Sequence, residues 1–306
     1  MDFLNEILLF FAAVFPAIAL CVYVFKKDRA EKEPIGLLLG LFALGALICF
    51  PAAMAEEAVL DAIVEVFKSF GRVEDGIVKL SSTAYTFYNI AENFVGIALV
   101  EEGLKFLVLY LVTKNNKNFN SLFDGLIYSV FVSLGFAALE NVLYVTDSGF
   151  HLAIIRGVLS VPGHMFFAVI MGYYYSMWNL YGKANSLEKQ CKSNGIIPQN
   201  AVEYKSGKYL ALSLVMPILA HGFYDYCCTV DEVTATVALY VFVAFLYVYC
   251  FNKIRKMSKM DCYNNALVLG LLINKYPAIT GYLVPDSAFN ASDENSTNTD
   301  SDLTDF

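Results

Sequence analysis

Seven long apolar segments constrain the fold of this 306-residue sequence more than any other feature. A transmembrane helix needs about 20 mostly apolar residues, because the hydrocarbon core of a bilayer is about 30 Å thick. The segments that meet this requirement are 3–25, 35–54, 89–112, 122–146, 153–180, 209–229 and 233–251. The composition agrees, since 58% of the residues are hydrophobic and 16% are charged, against about 25% charged in soluble domains. We therefore predict an all-α fold, a polytopic transmembrane helix bundle of about seven spans in a lipid bilayer.

Basic residues between the segments predict the orientation of this bundle. Four, two, five and four Lys or Arg residues follow the first, third, fifth and seventh segments, whereas the loops on the opposite side carry three. Because cytoplasmic loops hold the excess of Lys and Arg, we predict a multi-pass cell-membrane protein with its N-terminus outside and its C-terminus in the cytoplasm.

The chain divides into a membrane domain, residues 1–260, and a cytoplasmic tail, residues 261–306. The end of the tail, from Asp286 to Phe306, holds six Asp or Glu residues and no Lys or Arg, so we expect it to be disordered. The net charge of −8 argues against nucleic acid as a partner.

The loop between the second and third segments contains apolar residues at helical spacing over residues 56–70. This stretch is too short and too charged to cross a bilayer. It predicts either an interfacial helix on the outer leaflet or a helix packed on the bundle.

Ionisable residues inside the predicted spans are the strongest functional signal. Each charge there costs about 2.5–3.5 kcal/mol on insertion scales. The third to sixth segments contain Glu101, Glu102, Lys105, Glu140, Asn141, Arg156, His164, His221 and Asp225. The helical rise places Glu102, His164 and His221 about 15–18 Å from one end of their segments, near the middle of the bilayer. We expect Arg156 to snorkel to the interface, and the acids and histidines to converge in a buried polar active site.

The chemistry open to these groups is the activation of water. Glu101 and Glu102 precede Lys105 by four and three residues, so both carboxylates can reach one ammonium group. A carboxylate in a low-dielectric site can act as a general base or acid. Alternatively, His and carboxylate groups can hold a divalent metal such as zinc, although no H-E-x-x-H motif occurs. The residues leave both mechanisms open and establish no certain cofactor. They favour activation of water by glutamate, because an adjacent Glu pair beside Lys105 suits proton transfer and the spans contain only two His residues.

Four motifs, in order over about residues 85–230, resemble the PrsW family of intramembrane proteases. Glu101–Lys105 is similar to its E-E-x-x-K motif, Phe136–Glu140 to F-x-x-x-E and His221–Asp225 to H-x-x-x-D, and His164 stands where a further His is expected. The resemblance implies a protease of the superfamily that includes CAAX prenyl endopeptidases and bacteriocin-processing enzymes. It also implies a site-1-type cut in a single-span substrate such as an anti-sigma factor, as part of a stress response.

The resemblance also assigns residues to roles. The catalytic candidates are Glu101, Glu102, Glu140, His164, His221 and Asp225. The possible metal ligands among them are Glu102, Glu140, His164 and His221. Lys105 and Asn141 are expected to support the site.

The sequence is also compatible with three alternative functions. A CAAX-type prenyl protease is less favoured, because those enzymes prefer Arg and His where this chain has Lys105 and Glu140. An ion- or proton-coupled transporter also places carboxylates at mid-membrane, but this sequence shows no internal repeat or paired broken helices. A non-catalytic scaffold would not explain the cost of so many buried charges.

Overall fold

A computed structural model describes residues 3–74 and 77–280 of the chain, most of them in helices. The α-helices in this part of the chain are α1 (Phe3–Lys27), α2 (Ile35–Leu47), α3 (Cys49–Lys68), α4 (Ser82–Ala91), α5 (Leu99–Thr113), α6 (Asp124–Val158), α7 (Ser160–Ser193), α8 (Ser206–Thr229), α9 (Val233–Lys259) and α10 (Asn264–Lys275). A π-helical segment, Glu92–Ala98, joins α4 to α5, and a short 3-10 helix, Pro277–Ile279, follows α10. The strands β1 (Arg72–Glu74) and β2 (Ile77–Lys79) form an antiparallel hairpin between α3 and α4. The acidic end predicted to be disordered, 286–306, lies outside the described residues.

The predicted polytopic helical bundle is confirmed. Within the described residues, six helical stretches are long and apolar enough to cross a membrane, and they correspond to six of the seven predicted segments. The remaining segment, 89–112, consists of the end of α4, the π-helical segment and α5, which follow one another directly in the chain.

The first half of α6 forms the centre of the bundle. Every residue from 121 to 138 is buried, because α1, α2 and α7 pack around this helix. Gly45 on α2 and Gly135 on α6 allow the closest approach, since a Cβ atom at Gly45 would overlap the carbonyl of Val132 and one at Gly135 the carbonyl of Phe42. Small residues at such crossings let helix backbones meet closely in a membrane.

Helix α6 reverses direction before it ends. Arg156 Nε donates a hydrogen bond to Asn141 Oδ1 at 3.0 Å. Fifteen residues along a straight helix would separate them by about 22 Å. The chain therefore folds back between 141 and 156. As a result, residues 150–158, the last part of α6, run alongside the part of α6 that precedes residue 146.

The amphipathic stretch 56–70 belongs to α3, which packs on the bundle. Helix α3 follows α2 after a single intervening residue, Ile48, and contacts α4, the π-helical segment and α5. Its Phe67 ring lies 5.6 Å from that of Tyr88 on α4. Helix α3 thus makes contacts with the bundle, as the packed alternative predicts.

The connections after α1, α5 and α9 meet at one end of the bundle, which we call the basic end. Asp261 accepts hydrogen bonds from the backbone amides of Arg29 and Ala30 and from Ser121 Oγ. Nearby, Tyr128 donates to Glu33 Oε2 at 2.6 Å, and burial raises the pKa of the Glu33 carboxyl to about 8. Helix α10, within the predicted tail, packs against α7.

Candidate active site

The charged residues predicted to converge form one buried cluster. Lys105 Nζ lies 2.8 Å from Glu101 Oε2, 2.8 Å from Glu102 Oε1 and 3.1 Å from His164 Nδ1. The rings of His164 and His221 are 5.4 Å apart between centroids. Three helices, α5, α7 and α8, thus bring five of these side chains to one place.

Local backbone features set the approach of α8 to α5. The π-helical segment immediately precedes the Glu pair, and such segments occur frequently at functional sites. Gly222 packs on this segment, since a Cβ there would lie 2.6 Å from Phe94 Cδ1 and 3.0 Å from Phe94 Cα. Thr229 Oγ1 also donates to Asn93 Oδ1 at 3.0 Å. Both contacts hold His221 against the Glu pair.

Each histidine has a ring nitrogen within hydrogen-bonding distance of a glutamate on another helix. His164 Nε2 lies 2.9 Å from Glu140 Oε2, and His221 Nδ1 lies 3.0 Å from Glu102 Oε1. An ammonium group only donates, so His164 Nδ1 accepts from Lys105 and His164 Nε2–H donates to Glu140. The other nitrogen of each ring faces Glu101 Oε2, at 4.0 Å from His164 Nδ1 and 4.0 Å from His221 Nε2.

Asp225 adds a further carboxylate beside His221. Its Oδ2 atom lies 3.1 Å from His221 Nε2, one helical turn away on α8. This oxygen is buried and makes no well-formed hydrogen bond with the described part of the chain. The Phe167 ring stacks on His221 at 4.7 Å and fixes the plane of the imidazole.

Arg156 does not snorkel to the interface, contrary to the sequence-based expectation. Arg156 Nη2 lies 3.0 Å from Glu140 Oε1, and its guanidinium also contacts Asn141 and the Tyr144 ring. Asn141 in turn donates to the carbonyl of Ala13 on α1. The short connection between the fourth and fifth predicted spans could have indicated this contact. Two spans joined in this way are antiparallel, and this arrangement places Arg156 level with Glu140.

A cavity of about 460 Å³ lies beside the cluster, in the half of the bundle away from the basic end. Glu101, Glu140, His164, His221 and Asp225 contribute to its wall. Glu102 does not, since it is fully buried behind His221. Glu56 of α3 lines the cavity too, which the sequence did not indicate.

Glu101, His164 and His221 form a buried donor set that could hold a metal ion. One ligand atom each of Glu101, His164 and His221 lies within 4.8 Å of the others, whereas ligands around tetrahedral zinc are roughly 3.3 Å apart for bonds of about 2.0–2.1 Å. Each side chain would therefore move by about 1 Å or less. Lys105 Nζ now lies among these atoms and would keep Glu102 as its partner. Carboxylates paired with the second nitrogen of each His are the usual support of histidine metal ligands.

Comparisons with known proteins point to the family that the motifs resemble. A sequence model described as PrsW family intramembrane metalloprotease matches residues 33–251. A protein named Protease PrsW from Geobacillus kaustophilus (strain HTA426) is 34% identical over 221 residues, which cover 72% of this chain and 80% of that protein.

Two further relatives carry the same name. The one from Bacillus subtilis (strain 168) is 32% identical over 71% of this chain and 81% of its own length. The one from Clostridioides difficile (strain 630) is 30% identical over 81% of this chain and 90% of its own length. No solved structure matches the chain. The family match spans all four motifs and every helix of the buried cluster, and the chain therefore belongs to the PrsW family of intramembrane proteases.

Proposed function

We propose that this intramembrane protease makes a site-1-type cut in a single-span membrane protein of the anti-sigma-factor kind. The observation that carries the proposal is the row of carboxylates and histidines, with Glu101 in the middle, on the wall of a 460 Å³ cavity. Such a cavity can admit an extended peptide segment, and the groups on its wall are those that activate water. The family's association with anti-sigma factors supports this substrate class.

We further propose that the substrate enters from outside the cell. The cavity lies opposite the basic end, and the positive-inside rule assigns the basic end to the cytoplasm. Reporter fusions at Ser121 and Asn185 should then report the cytoplasm, and one at Gly71 the exterior. An exterior signal at Asn185 would reverse the orientation.

For the mechanism, we propose that Glu101, His164 and His221 hold a zinc ion. In this proposal Glu101 is the carboxylate ligand, whereas the resemblance implied Glu102 and Glu140. Glu140 lies beside His164 Nε2 and Glu102 beside His221 Nδ1, the ring nitrogens that do not face Glu101. A bound zinc ion supplies Lewis acidity and makes water nucleophilic near neutral pH.

The chain's own side chains orient the metal ligands, compensate charge and transfer the proton. Glu140 and Glu102 fix the orientation of the two imidazoles, which leaves His164 Nδ1 and His221 Nε2 facing Glu101. Lys105 compensates the charge of Glu102, which it keeps as its ion-pair partner when Glu101 is a metal ligand. Asp225 Oδ2 has no better partner than His221, so it is the group that takes the proton from the attacking water and passes it to the leaving amine.

The test is cleavage of a single-span reporter by the full-length protein in liposomes. We expect cleavage by the wild-type protein, product ends that map outside or within the outer leaflet, and reversible loss of activity with a chelator. Purified wild-type protein should contain metal, and His164→Ala and His221→Ala should each lower its content. The exposed Glu57→Gln variant is the control. Cytoplasmic product ends would contradict the direction of entry, and a metal-free active enzyme would contradict the zinc mechanism.

A further inference from the structure

Glu56 lies on the cavity wall without a role in the chemistry proposed above. It is on α3, where Cys49, Ala53 and Glu56 follow one another at helical spacing and all line the cavity. Its neighbour Glu57 is exposed and does not line it. One face of α3 therefore presents a single carboxylate to the space where substrate binds.

The other carboxylates on this wall already have cationic or histidine partners. Glu101 pairs with Lys105, Glu140 with Arg156 and His164, and Asp225 with His221. Glu56 makes no ion pair or hydrogen bond with a residue in the described part of the chain. Its charge is repelled by Glu101 and Glu140 and attracted more weakly by Lys105 and His221.

An unpaired carboxylate of this kind favours a positive group in the substrate. Desolvation and like-charge repulsion make its ionised form costly, and a cation placed beside it relieves both. Lys and Arg suit the site, because the cavity also has apolar walls, among them Leu143, Ile155 and Leu159, along which a long aliphatic stem can lie.

We propose that Glu56 selects substrates that carry a Lys or Arg side chain within a few residues of the cleaved bond. This inference rests on the proteolytic function proposed above. Glu56 and Glu101 line the same cavity, so a side chain next to the bond held at Glu101 can reach Glu56. The specificity is electrostatic, and it depends on the sign of the charge at position 56.

The test uses full-length protein in liposomes and a set of single-span reporters. Each reporter carries Lys, Gln or Glu at one of the positions around the mapped cleavage site, and kcat/KM is measured for each. At one position or more, the wild-type protein should prefer Lys over Gln by roughly five- to tenfold, between the values for exposed and buried ion pairs. Glu56→Gln should reduce this ratio to about one, and Glu56→Lys should turn the preference towards Glu. Glu57→Gln should keep the wild-type ratio.

The outcomes separate this proposal from the proposed function. If wild-type protein cleaves the reporters but the Lys-to-Gln ratio is the same in Glu56→Gln, selection by Glu56 is wrong and the protease assignment stands. A uniform loss of kcat on all reporters in Glu56→Gln, with the ratio kept, also overturns selection and places Glu56 in the chemistry. If wild-type protein cleaves none of the reporters, the substrate class proposed above is at fault. A charge-reversed preference in Glu56→Lys supports the proposal even if Glu56→Gln folds poorly.

Discussion

Arg156 Nη2 lies 3.0 Å from Glu140 Oε1, while the other oxygen of Glu140 lies 2.9 Å from His164 Nε2. The guanidinium thus holds a carboxylate that in turn orients a histidine of the site. Arg156 is itself anchored by Asn141, which is tied to α1. The reversal of α6 is therefore connected to the chemistry through the hydrogen bond between Asn141 and Arg156 and the ion pair between Arg156 and Glu140.

Arg156→Gln should lower kcat/KM by about 10- to 100-fold, the range for residues that support a metal-binding histidine. Gln can keep the contact with Asn141 but removes the charge that holds Glu140. Arg156→Lys should recover part of the loss, because it restores charge without the forked geometry. The control is Arg72→Gln, on an exposed residue of β1. Wild-type activity in Arg156→Gln would show that Glu140 orients His164 unaided.

The two adjacent glutamates should differ in their contribution to the rate. Glu101 lines the cavity. Glu102 does not line it, and it acts by contacting His221 Nδ1. Glu101→Gln should lose about 10³-fold or more in kcat, and Glu102→Gln about 10- to 100-fold. Single-turnover rates on a single-span reporter would measure both. The reverse order, with Glu102→Gln the more severe, would make Glu102 rather than Glu101 the carboxylate ligand of the metal.

The helical bundle, with six of the seven predicted spans, and the convergence of the charges could be predicted from sequence, because both follow from the cost of placing polar groups in lipid. Which of the two residues, Glu101 or Glu102, faces the cavity could not be predicted. Adjacent residues on a helix point about 100° apart, so the helix's rotation decides which one faces the cavity. The π-helical segment Glu92–Ala98 resets that rotation just before the pair, and hydropathy carries no signal for it.

The position of Glu56 on the cavity wall could not be predicted from the sequence either. Its spacing predicts an amphipathic helix, but not which face of that helix meets the bundle. That depends on contacts between α3 and the π-helical segment, such as Gly96 against Leu60 and Ile63. Long-range packing of this kind leaves no local trace in the sequence.

Gly222→Ala should damage the site through the backbone. A Cβ 2.6 Å from Phe94 Cδ1 and 3.0 Å from Phe94 Cα would push α8 away from the π-helical segment and carry His221 with it. We expect a loss of stability of about 1–3 kcal/mol, as for other overpacked sites, and a fall in activity of at least tenfold. Gly40→Ala is the matched control, because a Cβ at Gly40 meets no heavy atom within 4 Å. Thermal melting in detergent and reporter cleavage would test both, and equal behaviour of the two variants would show that α8 accommodates the methyl group.

The stability of the basic end should fall as pH rises. Burial raises the pKa of Glu33 to about 8, above the value of about 4.3 expected in an unfolded chain. The folded protein therefore binds more protons than the unfolded one between about pH 4.5 and 8, and the stability from this group, complete at lower pH, is lost across that interval. Glu33→Gln mimics the neutral carboxyl, so its melting temperature should fall less than that of the wild-type protein between pH 5 and 9. Glu31→Gln, at an exposed neighbour, should keep the wild-type pH dependence. If Glu33→Gln melts in parallel with the wild-type protein over this range, the carboxyl is already ionised in the folded state and Tyr128 alone compensates its burial.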